Sequence, residues 1–393
     1  MATASPLARL WSHPLLALGF RPFFLGAGVL ALLAMLVWLA RLWGLLPGDG
    51  YLGGTAWHAH EMLFGYVGAV IAGFLLTAAR NWTGIATPTG AWLGALVLLW
   101  LAARLGPLLS LPHGLIALLD LAFFPALALA LIPPLWRGKN KVNRAFLALL
   151  AAMTLANLLV HAQALGLTAA TASRGSRLML DLTLLTLWLV AGRIMPFFTQ
   201  SAITGSKPRT RPWVETSTFV LAPAIALLNL TWPASPVSGA LLLILAAIQA
   251  IRLGGWHHPL AWRNPMLAVL YAGYLWLILG LALDGLAAQG LLPPFPALHA
   301  LTAGGIGVFT LGMLARVTLG HTGRDMRASR ATSLAFLTIN LAALVRVFPP
   351  LLWPRHYSLW LGMAGGLWVL AFALFLGIYG PMLARPRVDG RPG

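Results

Sequence analysis

HAHEMLFGYVGAVIAGFLLTAA, residues His58–Ala79, decides the fold. Two histidines, Glu61 and Met62 crowd its start, and the seventeen residues from Leu63 onward carry no charge. About twenty predominantly apolar residues cross a bilayer as a helix. A soluble helix keeps a polar face, and this stretch has none beyond its first turn. Eleven further stretches read the same way: Phe23–Trp43, Trp92–Leu109, Leu115–Trp136, Phe146–Leu167, Leu178–Phe198, Val214–Leu230, Val237–Leu253, Met266–Leu286, Leu298–Leu319, Ser333–Phe348 and Leu359–Leu383. The expectation is an all-α polytopic membrane bundle of about twelve helices, a single domain over 1–393 with short tails at 1–21 and 384–393. Arg9 and Arg21 precede the first apolar run and no cleavage site follows it, so that run reads as an uncleaved span. Leu7–Leu18 can form a short interfacial helix.

Composition agrees. Of 393 residues, 60% are hydrophobic and 9% charged, with mean hydropathy +0.84. A soluble domain carries about 25% charge, so a water-facing globule is excluded. The net charge of +18 does not point to nucleic acid, because the cations sit in separate short loops rather than one groove. With both termini cytoplasmic, 20 of the 26 Lys and Arg fall on the inner side and 6 on the outer, counting Arg193 and Arg316 by the nearer face. The positive-inside rule selects that orientation, a cell inner membrane being the natural host.

There is no cysteine. Thiolate metal sites, iron–sulfur clusters and thioether-linked haem are excluded. Ten histidines and eleven methionines remain as ligands. Ionisable residues within a bilayer are costly and mark function. Under the assigned topology, His58, His60, Glu61, Asp120, His161, Asp181, Asp284 and His299 all fall toward the outer side. A shared polar pocket opening outward explains the grouping; snorkelling of residues near helix ends explains individual members.

On a regular helix His58, Glu61 and Met62 share one face and His60 points away. His299 is followed by Thr302, Ala303, Gly304, Gly305 and Gly307, small residues that allow close approach of a helix or a flat macrocycle. The assignment is therefore His60 and His299 as haem ligands, with Arg193 toward a cofactor carboxylate. His58, Met62 and His161 suit copper, and Glu61 and Asp181 act as supporting acceptors or proton relays. Exchange of His58 and His60 fits nearly as well. His321, at the inner side, is open to a separate site or a structural hydrogen bond.

Seven stretches carry a resemblance: Arg21–Phe24 (RPFF), Trp57–Gly65 (WHAHEMLFG), Gly73–Ala78 with Asn81–Gly84, Gly192–Thr199 (GRIMPFFT), His299–Gly307, Arg316–Arg324 (RVTLGHTGR) and Pro386–Gly393. Across nearly the whole chain they resemble the NnrS family of bacterial inner-membrane proteins. The resemblance implies a twelve-helix protein containing haem b and copper and linked to nitric oxide stress during denitrification; it implies no particular catalysed reaction. The small partner expected is nitric oxide or a related gas. A solute or metal transporter using the same polar cluster is the alternative; a two-fold internal repeat would favour it, and none is evident between the halves.

Overall fold

A computed structural model describes residues 11–47 and 50–391. Its long helices are α1 (Phe20–Leu42), α2 (Gly54–Thr83), α3 (Gly90–Leu105), α4 (His113–Arg137), α5 (Ala145–Ala164), α6 (Ala172–Ala202), α7 (Pro212–Thr231), α8 (Pro236–Trp256), α9 (Pro265–Ala288), α10 (Pro294–His321), α11 (Arg330–Val347) and α12 (Tyr357–Ala384). No strand occurs among the described residues. Eleven of the spans are long and apolar enough to cross a membrane; α3, at 16 residues, is the short one. Hydrocarbon offers the backbone no hydrogen-bond partners, so each span satisfies its own by forming helix. Apolar side chains on outward faces, such as Leu33, Leu98, Leu118, Leu129, Val220 and Leu337, stand exposed to where lipid would lie. Of the stretch read as an interfacial helix, Leu7–Leu10 lies outside the described residues, and a single tight turn, Pro14–Leu16, follows.

The helices group into two compact units. The first comprises Met1–Met179, Val317–Asp325 and Leu376–Gly393, the second Leu180–Arg316 and Met326–Phe375.

In the first unit, α1 lies close against α2 because α2 presents glycines. A Cβ on Gly73 would stand 2.8 Å from the Phe24 ring, and one on Gly65 would stand 2.7 Å from Leu30. Between its two α-helical parts α2 widens into a π-helical segment, Glu61–Val67. Such a segment disturbs the regular carbonyl bonding, and the Trp100 indole donates to Gly65 O at 3.0 Å. At the other end of the span the C-terminal tail is clasped in place. Arg21 donates to the carbonyls of Leu383 and Arg385 (2.9 and 2.6 Å), Arg387 donates to His321 O (2.8 Å), and Val388 N donates to Thr322 O (3.1 Å). Three of the quoted sequence stretches thus meet at one place.

In the second unit α9 and α10 approach through Gly273 and Gly280, whose added Cβ atoms would strike Phe309 and Leu301. α10 also contains a π-helical segment, Ala300–Gly307. The glycines after His299 serve packing: Cβ atoms at Gly304, Gly305 and Gly307 would stand 2.5 Å from Trp276, 2.2 Å from Leu277 and 2.7 Å from Trp368. The space they create is therefore filled by side chains, not left for a macrocycle.

Three helix ends, four helices apart, share one local pattern. At or just beyond the ends of α2, α6 and α10 stand Thr83-Gly84, Thr204-Gly205 and Thr322-Gly323, with glycine φ values of 72°, 80° and 75°. That left-handed conformation is one glycine adopts readily and side-chain-bearing residues rarely do. The next helix begins six or seven residues later each time, at Gly90, Pro212 and Arg330. Twenty-four residues before the three glycines stand His60, Asp181 and His299.

Candidate functional site

The polar cluster of the first unit is built by four helices, each contributing from the same end of the bundle. His60 and Glu61 come from the second turn of α2, Arg104 from the last turn of α3, Asp120 from the second turn of α4, and Asn157 and His161 from the last two turns of α5. Asp120, 3% exposed, is the hub. Its Oδ2 lies 2.9 Å from His161 Nε2 and 3.0 Å from His60 Nε2, and it accepts from Asn157 Nδ2 at 3.1 Å. Its Oδ1 accepts from Arg104 Nη2. Asn157 Oδ1 lies 3.1 Å from His60 Nε2. His60 Nδ1 faces Glu61 Oε1 at 3.2 Å. Glu61 Oε2 completes the ring with an ion pair to Arg104 Nε at 3.0 Å, a contact without hydrogen-bond alignment. Gly65 makes the pair possible, since a Cβ there would stand 3.0 Å from Glu61 Oε2.

Charge counting sets what this cluster can do. Two carboxylates face one guanidinium in a region closed to water. One further positive charge balances them, supplied by a proton on a ring or by a metal cation. The ligand-type atoms of His60, Asp120 and His161 lie within 4.8 Å of one another, close enough to hold one ion. Tyr51, in the loop before α2, covers the cluster and contacts His161 Nδ1 at 2.8 Å. Burial, and then the Asp120 charge, push the Tyr51 phenol up to about 12, so it keeps its proton at neutral pH. With a neutral His161 ring whose Nε2–H donates to Asp120, Nδ1 accepts from the Tyr51 hydroxyl. A metal on Nε2 would move the ring proton to Nδ1 and turn the Tyr51 oxygen into the acceptor, a role a hydroxyl can equally take.

The remaining sequence-predicted residues lie as follows. His58 is stacked on Trp38, with ring centroids 4.6 Å apart, so the histidine that His161 meets is His60. Met62 is half-buried in the wide segment of α2. Asp181 belongs to the second unit, where Asn229 Nδ2 donates to it at 2.9 Å and Ser238 donates onward to Asn229 at 2.7 Å. It borders an apolar cavity of about 10 Å³, room for one water at most. Arg193 is half-buried on α6, next to Gly192, against which the Arg252 guanidinium packs. His299 is half-buried near the start of α10, its Nδ1 2.9 Å from Phe295 O. A ring that donates there carries its proton on Nδ1. His321 ends α10 and packs at a tilt against Phe20, with ring centroids 5.4 Å apart.

Sequence reasoning placed Arg104 and Arg252 among loop cations, yet both are buried ion-pair partners. Arg252 grips Glu215 with two bonds of 2.8 and 2.5 Å and donates to Tyr274 at 3.2 Å. The available signal was register: Arg104 precedes the end of its helix at the depth where Glu61 and Asp120 enter theirs.

Fold and site together define a polytopic helical membrane protein with a buried histidine–carboxylate–arginine cluster. The NnrS protein family model matches residues 14–387, and the chain belongs to the NnrS family. No curated protein matches the chain.

Proposed function

We propose that this chain is a haem- and copper-holding protein of a bacterial inner membrane that binds nitric oxide or protects against it. Family membership supports the link to nitric oxide. The observation that carries the metal is the convergence of His60 Nε2, His161 Nε2 and Asp120 Oδ2 in a buried cluster where two carboxylates face one guanidinium. Two imidazoles and a carboxylate suit copper, and equally iron or zinc. In this reading His60 serves the copper site with His161, and His299 alone carries the haem. A bound metal would supply Lewis acidity toward a small gas; the chain's residues do the rest. Asp120 neutralises charge, Arg104 holds Asp120 and Glu61 in place, and Tyr51 orients the His161 ring.

The test is metal analysis and a pyridine haemochrome assay on detergent-purified full-length protein. His161→Ala and Asp120→Asn are expected to lose copper and keep haem, and His299→Ala the reverse. Wild-type protein with neither group refutes the proposal. The charge imbalance of the cluster also fits a transporter's cation site. Saturable, potential-driven cation uptake by reconstituted metal-free protein would favour that reading instead.

A further inference from the structure

Every side chain of the first unit's cluster but one comes from a helix. The exception is Tyr51, from the loop before α2. Tyr51 is half-buried, whereas His60 and His161 are each 1% exposed. Its ring lies on the His161 ring, with centroids 5.6 Å apart and planes 20° from parallel, and its hydroxyl is 2.8 Å from His161 Nδ1. A third ring continues the series. His113, exposed at the start of α4, packs against Tyr51 with centroids 4.9 Å apart. No hydrogen bond or ion pair holds its ring nitrogens among the described residues. The same helix carries Asp120 seven residues on, which places the two on one face, about 10 Å apart along the axis. α4 therefore presents a histidine at the surface and the hub of the cluster in the interior, and Tyr51 touches both the exposed ring and the buried His161.

We propose that this series of rings is the entry to the cluster: His113 is the first ligand met by the cation that His60, Asp120 and His161 take up, and Tyr51 is the lid that parts to admit it. The inference rests on the metal reading above and adds the route to that site. A cation approaching this end of the bundle is drawn by two carboxylates that face one guanidinium. An exposed imidazole with no competing bond gives it a ligand while it still holds most of its water. Tyr51 suits a lid because its ring is held on His161 by one hydroxyl contact and not by a helix of its own. The hydroxyl also closes over either form of His161. It donates to Nδ1 when the ring proton stands on Nε2 and accepts when the proton stands on Nδ1. Closing needs only rotation of one O–H bond. Arg104, the other half-buried member, is a poor entry: its charge repels a cation, and its two carboxylate partners pin it.

The experiment uses full-length protein in detergent, first stripped of metal with a chelator. Labelling of each histidine by diethyl pyrocarbonate is followed by peptide mass spectrometry for wild type, Tyr51→Phe and Tyr51→Ala. Wild type is expected to label quickly at His113 and slowly at His161 and His60. Loss of one hydroxyl contact predicts about tenfold faster labelling of His161 in Tyr51→Phe. Tyr51→Ala is expected to speed His60 as well, a ring whose own bonds run to Glu61 and Asn157 and which therefore reports opening of the cluster. Cu(II) at low micromolar concentration is then added, its uptake followed by visible absorbance, and its release to EDTA measured. His113→Ala should load several-fold more slowly, and Tyr51→Phe should load and release faster, both reaching the wild-type copper content. The exposed control His356→Ala should match wild type in every rate. If Tyr51→Ala fails to insert, Tyr51→Phe and His113→Ala decide. Wild-type loading in His113→Ala overturns the entry ligand, and wild-type labelling in Tyr51→Phe overturns the lid; neither result touches the metal site. Wild-type protein whose cluster takes up no Cu(II) overturns the entry and the metal reading together.

Discussion

Replacing Arg104 with Met removes the only fixed cation from the cluster of Glu61, Asp120, His60 and His161 while keeping most of the apolar stem. Glu61 and Asp120 are 6% and 3% exposed, so neither can recover its charge balance from water. Two interactions disappear: the charged hydrogen bond to Asp120 and the ion pair to Glu61. A hydrogen bond to a charged group is worth about 1.5–3 kcal/mol, and removing one partner of a buried pair costs about 3–5 kcal/mol. We expect the larger figure to apply, because the orphaned carboxylates also repel each other. At about 1.4 kcal/mol per decade, the folded-to-unfolded ratio falls roughly a hundred- to a few thousandfold. Equilibrium unfolding in mixed micelles with rising dodecyl sulfate fraction, followed by tryptophan fluorescence, measures this directly. Adding Glu61→Gln to Arg104→Met removes one orphaned charge, so the double variant should recover at least about 1 kcal/mol relative to Arg104→Met. A single variant within about 1 kcal/mol of wild type, or strictly additive effects in the double, would refute the argument that this guanidinium balances the cluster.

Gly304→Ala places a methyl 2.5 Å from the Trp276 ring and should lower stability by about 1–3 kcal/mol; Gly114→Ala, with nothing within 4 Å, should stay within about 1 kcal/mol in the same unfolding assay. Asp389 is held well below the usual carboxylate range, chiefly by its hydrogen bonds from Arg387. Its share in docking the tail is therefore fully present above about pH 4 and lost as pH falls through the depressed value. Hydrogen exchange at the Val388 amide, corrected for intrinsic rate, should be constant from pH 5 to 8 and faster in Arg387→Gln. A topology reporter fused after Lys141 should be active only in its cytoplasmic form; activity of the periplasmic form would reverse the assigned orientation.

The spans were legible because hydropathy alone requires them, and α3 came out shorter than read because its last turn gives way to the loop at Gly106–Ser110. Histidines and carboxylates at matching depths marked a polar site. Which of them meet was not legible. The pairing of His60 with His161 depends on how α2 and α5 are rotated, and a wide segment inside α2 disturbs the regular wheel. Arg104 and Arg252 were hidden by position: an arginine close to a helix end reads as a loop residue until the acids beside it are known. The glycines after His299 looked like room for a ligand, and only the positions of Trp276, Leu277 and Trp368 show that the room is taken. The pattern shared by the ends of α2, α6 and α10 was not legible because it consists of a two-residue cap and one polar position, with Asp181 standing where the other two helices have histidine.

The wide segments in α2 and α10 have a consequence for anyone editing these spans. A π-helical turn accommodates an extra residue, and one residue corresponds to about 100° of rotation. Each span therefore behaves as two screws joined at an offset, the ligand-bearing end set to one group of neighbours and the remainder to another. Shortening Glu61–Val67 or Ala300–Gly307 by a single residue would leave composition and hydropathy almost untouched. It would, however, swing His60 or His299 by more than a quarter turn against the rest of its own helix. In these two stretches residue count, more than residue identity, sets where the histidines point.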